Sequence, residues 1–348
     1  MNKRFRFFAV LLAALLFLPL GFVFGQQLQV GEEIKKTRAA LTSNPSNRDA
    51  RSRLVGLYYK QGVEDLRNRF HAEAVRAFQE GLAAGLQEAD TLPANAPEVE
   101  EARYALAYAL VQQRNRFGAI PVLETLVADS PDYFKGRYLL GVTLVRTMEP
   151  ANVSRGLEVL RQIARETSGD VRVIAVGAGT RLSYNVSTVA FGSGRTGQAV
   201  ALLENVVRDY GNSPGETKAE TSALKFALGT YLLDLGDFEG ALFELLFLSD
   251  KDKGFALNNG VTVKEVLANA YYETAVDALS ARDSDGAEWA LDLLKEQEKL
   301  QGSASAEVHH GRALAHQILG DNAKVQEELQ AVKAMDESYY RELLKAGT

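Results

Sequence analysis

A pattern of small and large apolar residues recurs along this chain and restricts its fold more than any other feature. The clearest copy occupies residues 222–250, where Leu228 and Gly229 precede a Gly-Asp-Phe turn at 236–238. Ala241 follows the turn, with leucines four and seven positions later. Small residues let two antiparallel helices cross closely, and a Gly-Asp turn ends one helix and caps the next. The pattern therefore predicts a helical hairpin.

The same hairpin pattern recurs less completely elsewhere in the chain. The small residue of each second helix serves as a marker, and successive markers lie 35 to 49 residues apart. The markers are Ala74, Ala119, Gly156, Ala199, Ala241, Ala290 and Val325. Amphipathic hairpins cannot bury their apolar stripes singly, so neighbouring copies stack and share a core. We predict seven helix pairs over residues 46–340, with a capping helix over 26–45 before them and a C-terminal tail over 341–348.

This pattern resembles the tetratricopeptide repeat, whose Leu-Gly dyad, Gly-Asp-aromatic turn and second-helix Ala occupy the same relative positions. The family period is about 34 residues, so the spacing here is wider, and the unit over 170–210 is the least well defined. The resemblance implies an all-α fold, a right-handed α-solenoid of about seven antiparallel helix pairs whose first helices line a concave groove. It also implies a non-catalytic scaffold that binds protein partners.

The first 25 residues have the pattern of an export signal. Lys3, Arg4 and Arg6 precede an unbroken apolar run over 7–24. We predict cleavage after Gly25, and the alternative is an uncleaved anchor, because the 18 residues of the run approach the length that spans a bilayer. In both cases the rest of the chain lies outside the cytoplasm. We therefore predict an exported, periplasmic or envelope-associated protein that touches a membrane only through this segment.

Composition narrows the range of functions. Loss of the three basic residues of the signal changes the formal net charge from -6 to -9, which gives no global attraction to nucleic acid. The absence of cysteine excludes thiolate metal sites and cysteine nucleophiles. The four histidines are not spaced to share one metal ion easily; they are His71, His309, His310 and His316. We expect no metal, no cofactor and no catalysis.

One segment supports a competing interpretation. Gly192, Gly194 and Gly197 match the dinucleotide-binding pattern G-x-G-x-x-G, and residues 188–191 before them could end a strand. The alternative function is thus a nucleotide-dependent enzyme that uses residues 192–197. However, no alternation of strands and helices surrounds the glycines, and no acidic residue follows on a strand about 20 positions later. We favour an inter-helix turn.

Residues 171–179 are rich in β-branched side chains and could form a strand. A lone strand inside a helical array would leave its backbone groups unpaired. We therefore predict that this segment is a helix, the first of the least well defined unit.

If first helices line a groove, the residues that face it can be counted at helical spacing. Tyr104, Tyr108 and Tyr138 would form an aromatic strip beside Lys135 and Arg146, and tyrosine and arginine often dominate binding energy. Such a strip could hold an extended peptide or an acidic tail. The alternative is that the tyrosines only pack between helices, and a structural subunit that assembles through its convex face is a third possibility. The candidate binding residues are Tyr104, Tyr108, Gln112, Lys135, Tyr138, Arg146, Phe226, Asp234, His310 and Gln317.

Overall fold

The structure is a computed structural model that describes residues 20–86, 92–210, 218–252, 254–256 and 260–346. These residues form sixteen α-helices. Within the described ranges, β-structure is limited to one isolated antiparallel bridge between Ala256 and Thr262. The chain divides into two compact units, unit 1 up to Ala178 and unit 2 from Gly179. The all-α repeat fold predicted from the sequence is confirmed.

Unit 1 holds the first seven helices and the start of the eighth. They are α1 Leu20–Ser43, α2 Arg48–Arg67, α3 His71–Leu86, α4 Pro97–Gln112, α5 Arg116–Asp129, α6 Phe134–Val145, α7 Pro150–Glu166 and α8 Gly169–Gly192. Helices α2 and α3, α4 and α5, and α6 and α7 form pairs, and each pair packs on the next. The first helices α2, α4 and α6 also contact one another in sequence. They therefore share one face of unit 1.

Unit 2 begins within α8 and repeats this arrangement. Its other helices are α9 Thr196–Tyr210, α10 Lys218–Leu235, α11 Phe238–Lys251, α12 Val263–Ser280, α13 Ser284–Gln301, α14 Ala306–Ile318, α15 Asn322–Met335 and α16 Glu337–Ala346. Helices α10 and α11, α12 and α13, and α14 and α15 form pairs. Ala190 of α8 and Ala199 of α9 lie in one apolar cluster. Counting α8 with α9, the described helices make the seven predicted pairs.

The marker residues lie where the two helices of a pair approach most closely. Ala74, Ala119, Ala199, Ala241 and Ala290 are all 0% exposed. A Cβ on Gly156 would lie 2.6 Å from the carbonyl oxygen of Gly141, so only glycine allows that approach. Val325 is the exception, because it is half-buried near the end of the array.

The turns within the pairs confirm the predicted capping chemistry. Gly236 has a φ of +80°, and the Asp237 side chain accepts a hydrogen bond of 3.0 Å from the Gly240 amide. Gly194, at a φ of +71°, likewise lies in the turn between α8 and α9. The favoured interpretation of residues 192–197 is therefore correct. Residues 188–191, which the nucleotide-binding alternative requires as a strand end, are helical.

Helices lie at both ends of the described chain. Helix α1 begins at Leu20, so it crosses the predicted cleavage point after Gly25, and most of the predicted signal, residues 1–19, lies outside the described residues. No described helix combines the length and apolarity needed to cross a bilayer. At the other end, the predicted tail is largely helix α16, which packs on α15. Its Tyr339 hydroxyl lies 2.9 Å from the His310 Nδ1 on α14, and its Leu343 is 8% exposed.

Candidate functional site

Aromatic side chains concentrate on the face shared by the first helices of unit 1. Tyr104 and Tyr108 lie one turn apart on α4, and their rings stack with centroids 6.4 Å apart. Tyr133, directly before α6, meets Tyr104 edge-on at 6.0 Å. We call the set made by Tyr59, Tyr104, Tyr108, Tyr133 and Tyr138 the tyrosine surface.

An ion pair between Lys135 and Glu101 lies at the tyrosine surface. The Lys135 Nζ lies 3.0 Å from the Glu101 Oε1. The same ammonium stands 5.9 Å from the ring centroid of Tyr104 and 5.8 Å from that of Tyr133. Cation–π contacts of this kind contribute about 0.5 to 1 kcal/mol at exposed sites. Lys135 thus links the tyrosines of α4 to the residue that precedes α6.

Three phenols of the tyrosine surface, those of Tyr59, Tyr104 and Tyr133, have a raised pKa. Burial raises the pKa of Tyr104 to about 12, and the neighbouring Tyr108 phenol and Glu101 carboxylate act in the same direction. Burial and the Glu101 carboxylate also raise the pKa of Tyr133 and that of Tyr59. Neutral phenols donate and accept hydrogen bonds.

The predicted residues of unit 1 differ in how much they face solvent. Tyr108 is 40% exposed and Gln112 is exposed, whereas Tyr104, Lys135 and Tyr138 are half-buried. Tyr104 is therefore packed among its neighbours, whereas the Tyr108 side chain is accessible to solvent.

Arg146 does not lie beside the tyrosines as expected. It is the C-cap of α6, eight residues after Tyr138, which places it about 12 Å further along the helix axis. The basic pair predicted next to the strip is thus reduced to Lys135.

The residues of unit 2 that were predicted to face the groove have different surroundings. Phe226 is 3% exposed and packs against Phe255, so its prediction as a groove residue is wrong. Asp234 accepts a 2.7 Å hydrogen bond from the Thr196 hydroxyl, and Gln317 is exposed on α14.

His310 is half-buried, with its Nδ1 2.9 Å from the Tyr339 hydroxyl. Burial lowers the pKa of its imidazole. Across the described ranges, no group of three or more His, Asp or Glu side chains is placed to hold a metal ion.

Three residues of the tyrosine surface and its ion pair were not among the candidates. Tyr133 lies outside a helix, so counting at helical spacing passes over it. Tyr59 lies on α2, whose residues were not counted among those that face the groove. Glu101 lies three positions before Tyr104, a spacing that places both on one helix face, and this signal was available in the sequence.

Comparison with known proteins identifies the repeat type in unit 2. A family model described as the tetratricopeptide repeat matches residues 187–246. The match includes α9 and α10. It covers part of the least well defined repeat, over 170–210, and most of the clearest repeat, over 222–250. A search of curated proteins gave no match.

Several solved structures are similar to the chain. One is MamA, residues 41 to the end, from Desulfovibrio magneticus RS-1, with 17% identity, a TM-score of 0.35, and coverage of 58% of this chain and 97% of that one. Another is PilW, described as a widely conserved type IV pilus biogenesis factor, at 13% identity, a TM-score of 0.32, and coverage of 73% and 100%. A third is pilF of Pseudomonas aeruginosa, with 15% identity and a TM-score of 0.30. The match covers 72% of this chain and 97% of that one.

Proposed function

Because the chain is a tetratricopeptide-repeat protein, we propose that it is a non-catalytic scaffold that binds a protein partner on the tyrosine surface of unit 1. The observation that carries the proposal is Tyr108, which is 40% exposed at the edge of an otherwise packed cluster of rings. Isolated exposed tyrosines are ordinary, but one that extends a stacked cluster beside an ammonium group is typical of a binding surface.

The cluster suits binding because its rings are already held in place. Tyr104 contacts both Tyr108 and Tyr133, so the side chains lose little conformational freedom when a partner lands on them. Truncation of such a tyrosine to alanine often costs about 2 kcal/mol or more of binding free energy.

The charge of the surface indicates the kind of partner. Glu101 offsets the charge of Lys135 at 3.0 Å, and Arg146 lies too far away to add to it. A strongly acidic tail would therefore find little net attraction here. We propose instead an extended peptide segment, whose backbone carbonyls accept hydrogen bonds from the phenols and whose apolar side chains cover the rings.

We also propose that binding takes place outside the cytoplasm, in the cell envelope. The support is the basic start at Lys3, Arg4 and Arg6, followed by the apolar run over 7–24. Fractionation of cells that produce the chain tests this directly. Recovery of the protein with the cytoplasmic fraction would contradict it.

The binding surface is tested by photo-crosslinking in cells that produce the protein. A photoreactive phenylalanine derivative replaces Tyr108 in one variant and Thr125, exposed on the second helix α5, in a matched control. We expect a discrete crosslinked protein from position 108 and none from position 125. Crosslinks from position 125 alone would place the partner on the opposite helices.

A structural subunit that assembles through its second helices is the other candidate. Phe243 is 68% exposed and Leu246 41% exposed on α11, and Trp289 is 42% exposed on α13. The same photoreactive residue at position 243 tests this candidate. Crosslinks from 243 and none from 108 would favour assembly over peptide binding.

A further inference from the structure

The turns inside the three helix pairs of unit 1 present large apolar side chains to solvent. Phe70 is 54% exposed, Phe117 60% and Met148 46%, one in each turn. Because the pairs stack in sequence and their first helices contact one another, the three turns lie along one edge of unit 1. We call residues 67–70, 113–117 and 146–149 the turn edge. A row of exposed apolar side chains marks an interaction surface more strongly than a single one does.

Arginines accompany these apolar side chains. The turn edge contains five arginines and one carboxylate, a formal charge of +4 in a chain whose net charge is -6. Arg67 is paired with Glu64 at 3.1 Å. Arg69, Arg114 and Arg146 are exposed, and the described part of the chain supplies no ion-pair partner for them. The turn edge is therefore locally basic on an acidic protein.

The backbone of these turns favours other residues than those present. Arg69, Arg114 and Met148 have φ angles of 62°, 63° and 63°, in the left-handed region that glycine adopts readily and other residues rarely. Three of the four equivalent turns of unit 2 use glycine, and Arg282 is the exception. These glycines are Gly194, Gly236 and Gly320. Long side chains kept in a disfavoured conformation indicate a role beyond folding.

The capping residues differ between the units in the same sense. Asn115 caps α5 by accepting a hydrogen bond of 2.9 Å from the Gly118 amide. Three turns of unit 2 use an aspartate for this purpose, namely Asp237, Asp283 and Asp321. Asparagine and aspartate cap helices about equally well, so the neutral residue keeps the second turn of unit 1 basic without loss of the cap.

Helix α1 brings the N-terminal apolar run to this same edge. Helices α1 and α2 form a hairpin, in which the Arg53 Nη2 lies 3.2 Å from the Glu33 Oε2. From that contact, Leu20 lies about 20 Å back along α1 and Arg67 lies about 20 Å forward along α2. The two helices are antiparallel, so both positions lie at the turn edge. The apolar run over 7–24 thus joins the repeats beside the exposed arginines.

We propose that the turn edge lies on the surface of an anionic lipid bilayer. Phe70, Phe117 and Met148 insert among the lipid headgroups, and the arginines contact lipid phosphates. Apolar side chains beside cationic ones bind proteins to anionic membrane interfaces, and the planar guanidinium of arginine matches phosphate oxygens.

This contact adds to the one expected from the apolar run over 7–24. The inference rests on the proposed envelope location for the source of the bilayer. It does not depend on peptide binding at the tyrosine surface, which uses other residues.

Dye-labelled full-length chain on lipid vesicles tests the proposal. The chain has no cysteine, so Gln113→Cys carries a single environment-sensitive dye at the turn edge. Ser46→Cys, exposed between α1 and α2 at the opposite edge, is the matched control. The vesicles contain brominated lipids that quench a dye inside the bilayer, with or without phosphatidylglycerol. Because the apolar run can hold the chain on any vesicle, the readout is quenching at each position and not binding itself.

We expect quenching at position 113 on vesicles with phosphatidylglycerol, less on neutral vesicles, and none at position 46. Added salt should reduce the quenching, because it screens the arginines from the lipid phosphates.

Arginine variants identify the charge that carries the contact. Arg69→Gln with Arg114→Gln should weaken the contact at position 113 about fivefold per arginine. The matched control, Arg48→Gln with Arg282→Gln, removes the same charge at exposed positions outside the turn edge and should leave the quenching unchanged. Arg282 also has a positive φ, so the control reproduces the backbone change. Circular dichroism verifies that each variant keeps its helices.

A second variant tests insertion of the apolar side chains. Phe70→Ser with Phe117→Ser keeps the arginines and should reduce the quenching at position 113. Both residues are exposed, so the repeats should fold without them. Unchanged quenching in this variant would contradict insertion.

Three other results would overturn the proposal. They are the absence of quenching at position 113 on anionic vesicles that carry the chain, equal quenching at positions 113 and 46, and quenching that the arginine variant leaves unchanged. A dye response to polyglutamate, with none to anionic vesicles, would assign the turn edge to an acidic protein and also overturn it. Crosslinking from position 108 is independent of these results, so failure here differs from failure of the peptide-binding proposal.

Discussion

Units 1 and 2 are built from the same helix pairs but place their aromatic and charged residues differently. In unit 1, Tyr108 reaches solvent and the pair of Lys135 with Glu101 is about one-third exposed at both side chains. In unit 2, Tyr231 is 6% exposed and stacks on Phe191 at 4.2 Å. Lys225 and Glu244 form a pair whose side chains are 6% and 12% exposed.

The difference shows that residue types alone do not mark a binding surface in this fold. Unit 2 uses an aromatic stack and an ion pair inside its core, where they hold helices together. Unit 1 presents the same chemistry at the surface shared by its first helices. The family match, at 187–246, includes both residues of the buried aromatic stack, Phe191 and Tyr231.

The largest effect is expected from breaking the buried ion pair of unit 2. Lys225→Met leaves the Glu244 carboxylate buried without its partner, which should cost about 3 to 5 kcal/mol of unfolding free energy. Urea unfolding followed by fluorescence measures this, because Trp289, the one tryptophan of the chain, lies in unit 2. Lys225→Met with Glu244→Leu should recover most of the loss. If the unfolding free energy of Lys225→Met lies within about 1 kcal/mol of the wild-type value, the ion pair does not stabilise the fold.

A smaller loss is expected from crowding the tightest helix crossing of unit 1. Gly156→Ala places a methyl group 2.6 Å from the Gly141 carbonyl oxygen, and a backbone atom cannot move aside cheaply. We expect a net cost of about 2 to 3 kcal/mol, although alanine favours helix by about 1 kcal/mol.

Hydrogen exchange of unit 1 amides measures the effect of Gly156→Ala. The control is Gly56→Ala in α2, where a Cβ would meet nothing within 4 Å, and it should raise stability slightly. Equal effects of the two variants would contradict close packing of α6 and α7.

The exposed ion pair of unit 1 should matter little to stability. Lys135→Met removes a pair whose side chains are 31% and 38% exposed, so we expect a loss below about 1 kcal/mol. Hydrogen exchange of α4 and α6 amides reports it. A loss as large as that of Lys225→Met would erase the distinction between the two units.

The smallest effect is a pH dependence in unit 2. Burial lowers the pKa of His310 in the folded protein, so the unfolded chain binds the proton more readily. The stabilisation is present above the unfolded imidazole pKa of about 6.5 and is lost as pH falls through it. Trp289 fluorescence gives the urea midpoint at neutral and at acidic pH. The difference between these two midpoints should be smaller in the His310→Gln variant than in wild type. An unchanged pH slope in that variant would rule out His310 as the source.

Most of the fold was predictable because the repeat imposes local requirements. A small residue at each helix crossing and a capped Gly-Asp turn are needed whatever the partner helix, so Ala241 and Asp237 are recognisable in the sequence. Helix α16 was not predicted, because it carries no copy of the hairpin pattern and its contact of Tyr339 with His310 is tertiary.

The candidate site was predictable in part. Helical spacing places Tyr104 and Tyr108 on one face, and the structure does so. Spacing does not indicate what lies opposite, and for that reason Phe226 was assigned to a surface although Phe255 covers it.

The affinity of the partner captured from position 108 tests the central claim most directly. Calorimetry with the purified partner should show binding at least about tenfold weaker for Tyr104→Ala with Tyr108→Ala. Binding should be unchanged for Phe243→Ala, which removes a more exposed aromatic residue of unit 2. Unchanged affinity in the double tyrosine variant, with its helices intact, would contradict a role for the tyrosine surface in binding.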